Sequence, residues 1–233
     1  MAKKRRKKQN KMIPVLVAIA LIVIVGGIGL GSGVLKKYAY SNEKMDLKKY
    51  YKLEENDEVA IVLQNEHIET KAKLQQGVYY LDFDAVQDLL NDRFYHDVAE
   101  ELLLYTTPTE IIRTTVGSDV YTVGDETVNA GYITSFYEGE VLYVAMDYVR
   151  NYTNFSYEPY TEPNRMQLTT AWDETTTAKV SKNTEIRYRG GVKSDILREV
   201  NKGEVVTVLE QFDNWTKVKT YDAFIGFVPS RTL

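Results

Sequence analysis

The sequence predicts a single transmembrane helix followed by an α+β domain and a small all-β barrel. Three observations predict it. Residues Ile13 to Leu35 run for 23 positions without a charge. From Val59 onward, short β-branched runs alternate with one or two helix-like stretches. The last 56 residues break into short, evenly spaced strand signals, the texture of a small barrel. The boundaries read as a basic tail (1–12), a span (13–35), a stalk (36–57), the α+β domain (58–170), a linker (171–177) and the barrel (178–233).

The uncharged stretch would rise about 34 Å as a helix, enough to cross a hydrocarbon core of roughly 30 Å. Lys3-Lys4-Arg5-Arg6-Lys7-Lys8 and Lys11 precede it, and no acidic residue appears before Glu43. Basic residues at one end of a span hold that end in the cytoplasm. The expectation is a single-pass protein of the cell membrane with a cytoplasmic N-terminus and extracellular C-terminal domains. A cleaved secretory signal is the rival; its apolar core would be 7–15 residues long with a small-residue cleavage pattern, for which only Gly31-Ser32-Gly33 qualifies. Gly27-x-x-x-Gly31 places small residues where two spans could approach closely as a weak homodimer. A flexible, glycine-rich span end with no partner is the alternative.

Beyond residue 35 the chain carries 22 Lys and Arg against all 33 Asp and Glu, a net −11. That surface repels phosphate backbones, so nucleic acid is excluded as a partner. The basic tail beside a span is better matched to anionic lipid, which makes the cytoplasmic membrane the partner there. There is no cysteine, which rules out thiol catalysis, cysteine-ligated metals and disulfides. An exported chain without disulfides fits a bacterial envelope.

Residues 36–57 mix tyrosine with charge and read as a polar spacer. In the domain that follows, Val59–Leu63 reads as a strand, and Val78–Leu81 as a strand entering a helix near Asp84–Leu90 with Asp82 or Asp84 as cap. Further strands are expected at 101–106, 110–115, 120–123 and 141–144, separated by turn residues. A weak internal repeat lies beneath them. VYYLDFDAVQ (78–87) aligns with VLYVAMDYVR (141–150) 63 positions on, and the same offset sets Asn91 on Asn154 and Phe94 on Tyr157. Two copies of a strand–helix–hairpin unit would build one domain. This pattern resembles the copper amine oxidase N-terminal-like domain of exported bacterial proteins. The resemblance implies neither copper nor oxidation, since the only histidines are His67 and His96.

In the barrel, strands are expected at 179–180, 185–188, 196–200, 205–211, 215–220 and 224–228, with Gly226 where a strand must bend or pack closely. The order Ile186-Arg187, Ser194, Lys202-Gly203-Glu204, Trp215-Thr216-Lys217-Val218 and Gly226-Phe227-Val228 resembles a bacterial SH3 domain, so the barrel is expected to be SH3-like. One departure is Ala223 after Asp222, where that family commonly has glycine. The resemblance implies binding of peptidoglycan, through cell-wall peptide or glycopeptide, with no catalysis. The candidate binding surface is Arg187, Tyr188, Asp213, Trp215 and Phe227: aromatic faces to stack on peptide or sugar, and Arg187 to pair a carboxylate. Trp215 as a core anchor and Arg187 as partner of a barrel acid are the competing structural roles.

No catalytic set is legible. Asp82 with Asp84 and Glu100 with Glu101 were the available carboxylate pairs. The second pair points to opposite faces of a strand, and Asp84 is better used as a cap. There is no G-x-S-x-G, H-E-x-x-H or glycine-rich phosphate loop, and no cofactor or metal is expected. The reading is a membrane-anchored, extracytoplasmic, non-catalytic wall-binding protein. The alternative is the anchoring and targeting portion of a longer exported glycosidase resembling glycoside hydrolase family 18, with a catalytic domain after Leu233.

Overall fold

The computed structural model describes residues 39–233. The expected span Ile13–Leu35, its Gly27/Gly31 stripe and the basic tail lie outside the described residues. Twelve strands precede the linker: β1 (Glu58–Leu63), β2 (Glu66–Gln75), β3 (Val78–Asp82), β4 (Phe94–Asp97), β5 (Leu102–Thr106), β6 (Ile111–Thr115), β7 (Val120–Val123), β8 (Glu126–Asn129), β9 (Ser135–Glu138), β10 (Val141–Ala145), β11 (Ser156–Tyr160) and β12 (Arg165–Thr169). Six follow it: β13 (Thr177–Lys179), β14 (Thr184–Arg187), β15 (Ile196–Val200), β16 (Val205–Gln211), β17 (Trp215–Lys219) and β18 (Ile225–Pro229). They form a seven-stranded sheet ordered β11-β12-β1-β2-β3-β10-β9, a five-stranded meander β4 to β8, and a six-stranded sheet β13-β16-β17-β18-β14-β15.

The predicted class, a transmembrane helix followed by an α+β domain, is corrected here. The described residues are mostly β-sheet with a few short helices, and none of their helices is long and apolar enough to cross a membrane. The α-helices are α1 (Leu47–Tyr50), α2 (Phe83–Ala85) and α3 (Met146–Arg150). The helix expected near 84–90 forms, as α2 running directly into a π-helical stretch, Val86–Leu90. Its cap is Asp82, whose carboxylate accepts from the Ala85 amide at 2.8 Å, and not Asp84. Helices this short are marginal by themselves; burial of Ala85, Val86, Met146 and Val149 in the domain core holds them.

The repeat is realised residue by residue. The 63-residue offset maps the end of β2, then β3, α2, β4 and β5 onto β9, β10, α3, β11 and β12. Registers agree as well: Ala72 faces Leu81 as Ser135 faces Val144, and Phe94 faces Tyr105 as Tyr157 faces Leu168. Where the two copies meet, Leu81 pairs with its own repeat mate Val144. A local two-fold axis therefore passes between β3 and β10.

The apolar run Val59–Leu63 has cores on both sides. Val59 and Ile61 face the domain core with Leu81, Met146 and Leu168. Ala60 faces a second core built from Val180, Ile186, Val206, Val218, Phe224 and Val228 of the barrel. A strand covered on both faces needs no alternation, which accounts for its unbroken apolar sequence.

The stalk reading is also revised, from residue 43 onward. The Ile196 amide donates to the Glu43 carbonyl and the Met45 amide to the Ile196 carbonyl, both at 2.8 Å, so the segment lies along β15. Asp46 caps α1, and Tyr51 is only 1% exposed inside the barrel core. Residues 43–53 are a strap that completes the barrel. Its apolar side chains sit among lysines and glutamates at irregular spacing, which conceals them from a periodicity argument.

Barrel and domain are locked at one buried cluster. Arg165 donates to the Thr161, Pro163 and Asp222 carbonyls and pairs with the Asp222 carboxylate at 3.2 Å, its guanidinium 4.1 Å from the centre of the Phe224 ring. Arg198 reaches the same carboxylate at 3.0 Å. The turn that departs from the glycine pattern keeps the glycine-like conformation: Ala223 has φ +64° and is fully buried. A left-handed alanine costs about 1–2 kcal/mol, and the Asp222 lock immediately before it holds that conformation.

Candidate ligand-binding site

β17 and β18 present alternating faces. Thr216, Val218, Gly226 and Val228 are buried, while Trp215, Lys217, Ile225 and Phe227 are half-buried on the outer face. Lys217 lies directly opposite Phe227. The Phe212 ring sits 5.9 Å from Phe227. Loop 188–195 closes over these rings. Gly190 makes that approach possible, since a Cβ there would sit 3.2 Å from Trp215 Cγ and 3.4 Å from Phe227 Cδ1. Tyr188, at 40% exposure, lies at the start of this loop with the Arg189 guanidinium 5.2 Å above its ring.

A cavity of about 370 Å³ opens beside this face. Its walls come from three separate segments: Tyr50 from the strap, Glu66 and His67 from the start of β2, and Tyr188, Lys217 and Phe227 from the barrel. Tyr50 packs edge-on against Tyr188 at 5.5 Å and stacks on His67 at 6.0 Å. Burial, then the charges of Lys71 and Lys52, hold the His67 imidazole below its ordinary pKa against the opposing pull of Glu69. It is therefore neutral at neutral pH, and its buried Nε2 has no hydrogen-bond partner among the described residues. A second cleft of similar size shares Asn65, Glu66 and Lys217 and runs on towards Glu174 and Glu210.

Of the five residues singled out from sequence, Tyr188 and Phe227 line the cavity, and Trp215 packs beside them under Gly190. Asp213 is exposed on the β16–β17 turn, outside the cavity lining. Arg187 takes the competing structural role, as partner of a barrel acid. It is 1% exposed, pairs with Glu185, and donates to the Ser194 carbonyl at 2.6 Å. Its strand shifts register between Ile186 and Arg187, and the guanidinium lies under loop 188–195, where it pins the loop through the Ser194 carbonyl. The cation of the cavity is Lys217 instead. Lys217, Tyr50, Glu66 and His67 were not legible as site residues. The one available signal was the Tyr50-Tyr51 pair inside an otherwise charged segment.

The carboxylates considered for acid–base work are placed apart from this cavity. Asp82 is occupied as a helix cap, and Tyr137 and His96 share a hydrogen bond of 2.7 Å near it. Among the described residues no group of three or more His, Cys, Asp or Glu is arranged to hold a metal ion.

Comparison with curated proteins and with solved structures returns no match. Comparison with protein families does: residues 182–233, the strands and loop that carry the aromatic face, match the bacterial SH3 domain family.

Proposed function

We propose that the protein binds cell-wall peptidoglycan through the outer face of this SH3 domain, from the extracytoplasmic side of the membrane, without catalysing a reaction on it. The observation that carries this reading is the half-open aromatic surface of Tyr188, Phe212, Trp215 and Phe227 around Lys217, on a domain of a class that commonly binds peptidoglycan. Rings of this kind stack on sugar and peptide planes, and an ammonium among them takes a carboxylate. The location rests on the uncharged stretch 13–35 behind its basic run. The −11 charge of the remainder suits an exposed surface.

Because the strap and β1 complete the barrel core, the test uses the full chain. In detergent it should sediment with insoluble cell wall, and Tyr188→Ala and Phe227→Ala should weaken retention about tenfold while leaving the circular dichroism spectrum unchanged. Folded wild type remaining in the supernatant with walls from several Gram-positive sources would sink the proposal. Protease added to wall-stripped cells should remove the barrel; its survival until the cells are lysed would place it inside.

A further inference from the structure

We infer that the cavity between the barrel and the β1–β2 turn reads the dipolar part of a wall peptide: Lys217 takes a carboxylate and Glu66, from the neighbouring domain, takes an ammonium. This rests on the wall-binding reading and makes the middle domain part of the binding site.

Four observations support it. First, Glu66 of β2 and Lys217 of β17 both line both clefts, so each of the two domains contributes a charged residue to the same pair of openings. Second, neither forms an ion pair with the other or with any further group among the described residues, which leaves both charges available to a ligand bearing the complementary pair. Third, the floor is aromatic, with Tyr50, Tyr188 and Phe227 supplying ring faces that favour the apolar stem of a diamino acid and also attract an ammonium. Fourth, the β1–β2 turn immediately before Glu66 is tied both to β12 of its own domain and to the barrel. The Gln64 amide donates to the Leu168 carbonyl and Gln167 donates to the Gln64 carbonyl, both at 2.9 Å. Lys219 of β17 donates to that same carbonyl. Lys219 is two residues from Lys217 on one strand, so the backbone leading into Glu66 and the strand carrying Lys217 are tied together before a ligand arrives, and little backbone ordering entropy is lost on binding. A wall stem peptide carries this combination: a diamino acid whose side-chain amine is free before cross-linking, and a terminal carboxylate.

The test uses a synthetic lysine-containing stem peptide in four forms, with the side-chain amine free or acetylated and the C-terminus free or amidated, titrated into the full chain. Wild type should bind the doubly free form best and lose about fivefold for each blocked group. Glu66→Gln should remove the penalty for acetylation and keep the penalty for amidation. Lys217→Met should do the reverse. Glu66 is exposed and Lys217 half-exposed, so both variants should unfold at the wild-type midpoint. If wild type sediments with cell wall but both variants keep both penalties, this inference fails and the wall-binding reading stands. If wild type binds neither wall nor any of the peptides, both fail.

Discussion

Tyr51 offers two substitutions with opposite expected signs. Its ring is wedged in the barrel core, 4.7 Å from Tyr50, 5.1 Å from His67 and 6.3 Å from Phe224. Its hydroxyl is buried with no hydrogen-bond partner among the described residues. Burial, then the neighbouring Tyr50, push the phenol well above the usual tyrosine range, so it stays neutral. Removing the ring costs the lost burial plus a cavity, about 3–5 kcal/mol for a large aromatic. Removing only the hydroxyl relieves an unpaired buried group, typically about 1–3 kcal/mol. Tyr51→Ala should therefore destabilise by about 3 kcal/mol and Tyr51→Phe should be neutral or stabilise by about 1 kcal/mol. Urea unfolding followed by tryptophan fluorescence is a suitable assay, because Trp215 lies in the barrel. With a slope of about 2 kcal/mol/M, the alanine variant should unfold about 1.5 M earlier. A phenylalanine variant destabilised by more than about 1 kcal/mol would show that the hydroxyl is satisfied. An alanine variant within about 0.5 kcal/mol of wild type would show that the strap is not part of the barrel core.

Two further outcomes follow from particular contacts. Gly226→Ala should destabilise by about 3 kcal/mol or more, since a Cβ there would sit 2.5 Å from Ile186 Cγ2 and 2.6 Å from the Arg187 carbonyl oxygen; a thermal midpoint unchanged from wild type would contradict that close approach. Burial alone would raise the Glu204 carboxyl, but the Asn201 amide and the Arg198 guanidinium outweigh it and hold its pKa below the ordinary value. The carboxylate thus contributes stability above the unfolded pKa near 4.5, and this is lost as pH falls through the lower folded pKa. Glu204→Gln should be less stable than wild type at pH 7, with the gap closing in acid; a gap that widens in acid would reverse the assignment.

Much of the barrel was legible because its signals are local. Strands expected at 196–200 and 205–211 form with those bounds, and the others agree within a residue or two at their ends. The close packing demanded of Gly226 is present. The 63-residue repeat was legible for the same reason, since each copy repeats its own turn and strand chemistry. Its shape was not. Whether copies meet side by side, with Leu81 opposite Val144, depends on long-range pairing that no window of sequence records.

The binding site shows the same division. Composition and order along the chain were enough to place a small aromatic-faced barrel at the C-terminus and to exclude thiol and disulfide chemistry. The direction in which each side chain points was decided by tertiary structure. Arg187, the expected ligand cation, is buried under its loop, and strand alternation put Lys217 outside in its place. The strap and the start of β2, more than a hundred residues upstream, supplied Tyr50, Glu66 and His67. Those positions carry no local pattern because their neighbours in space are far away in sequence. The class of the domain beyond the stalk turned on length: its helical stretches are only one or two turns long, and helices that short are marginal unless a sheet buries them.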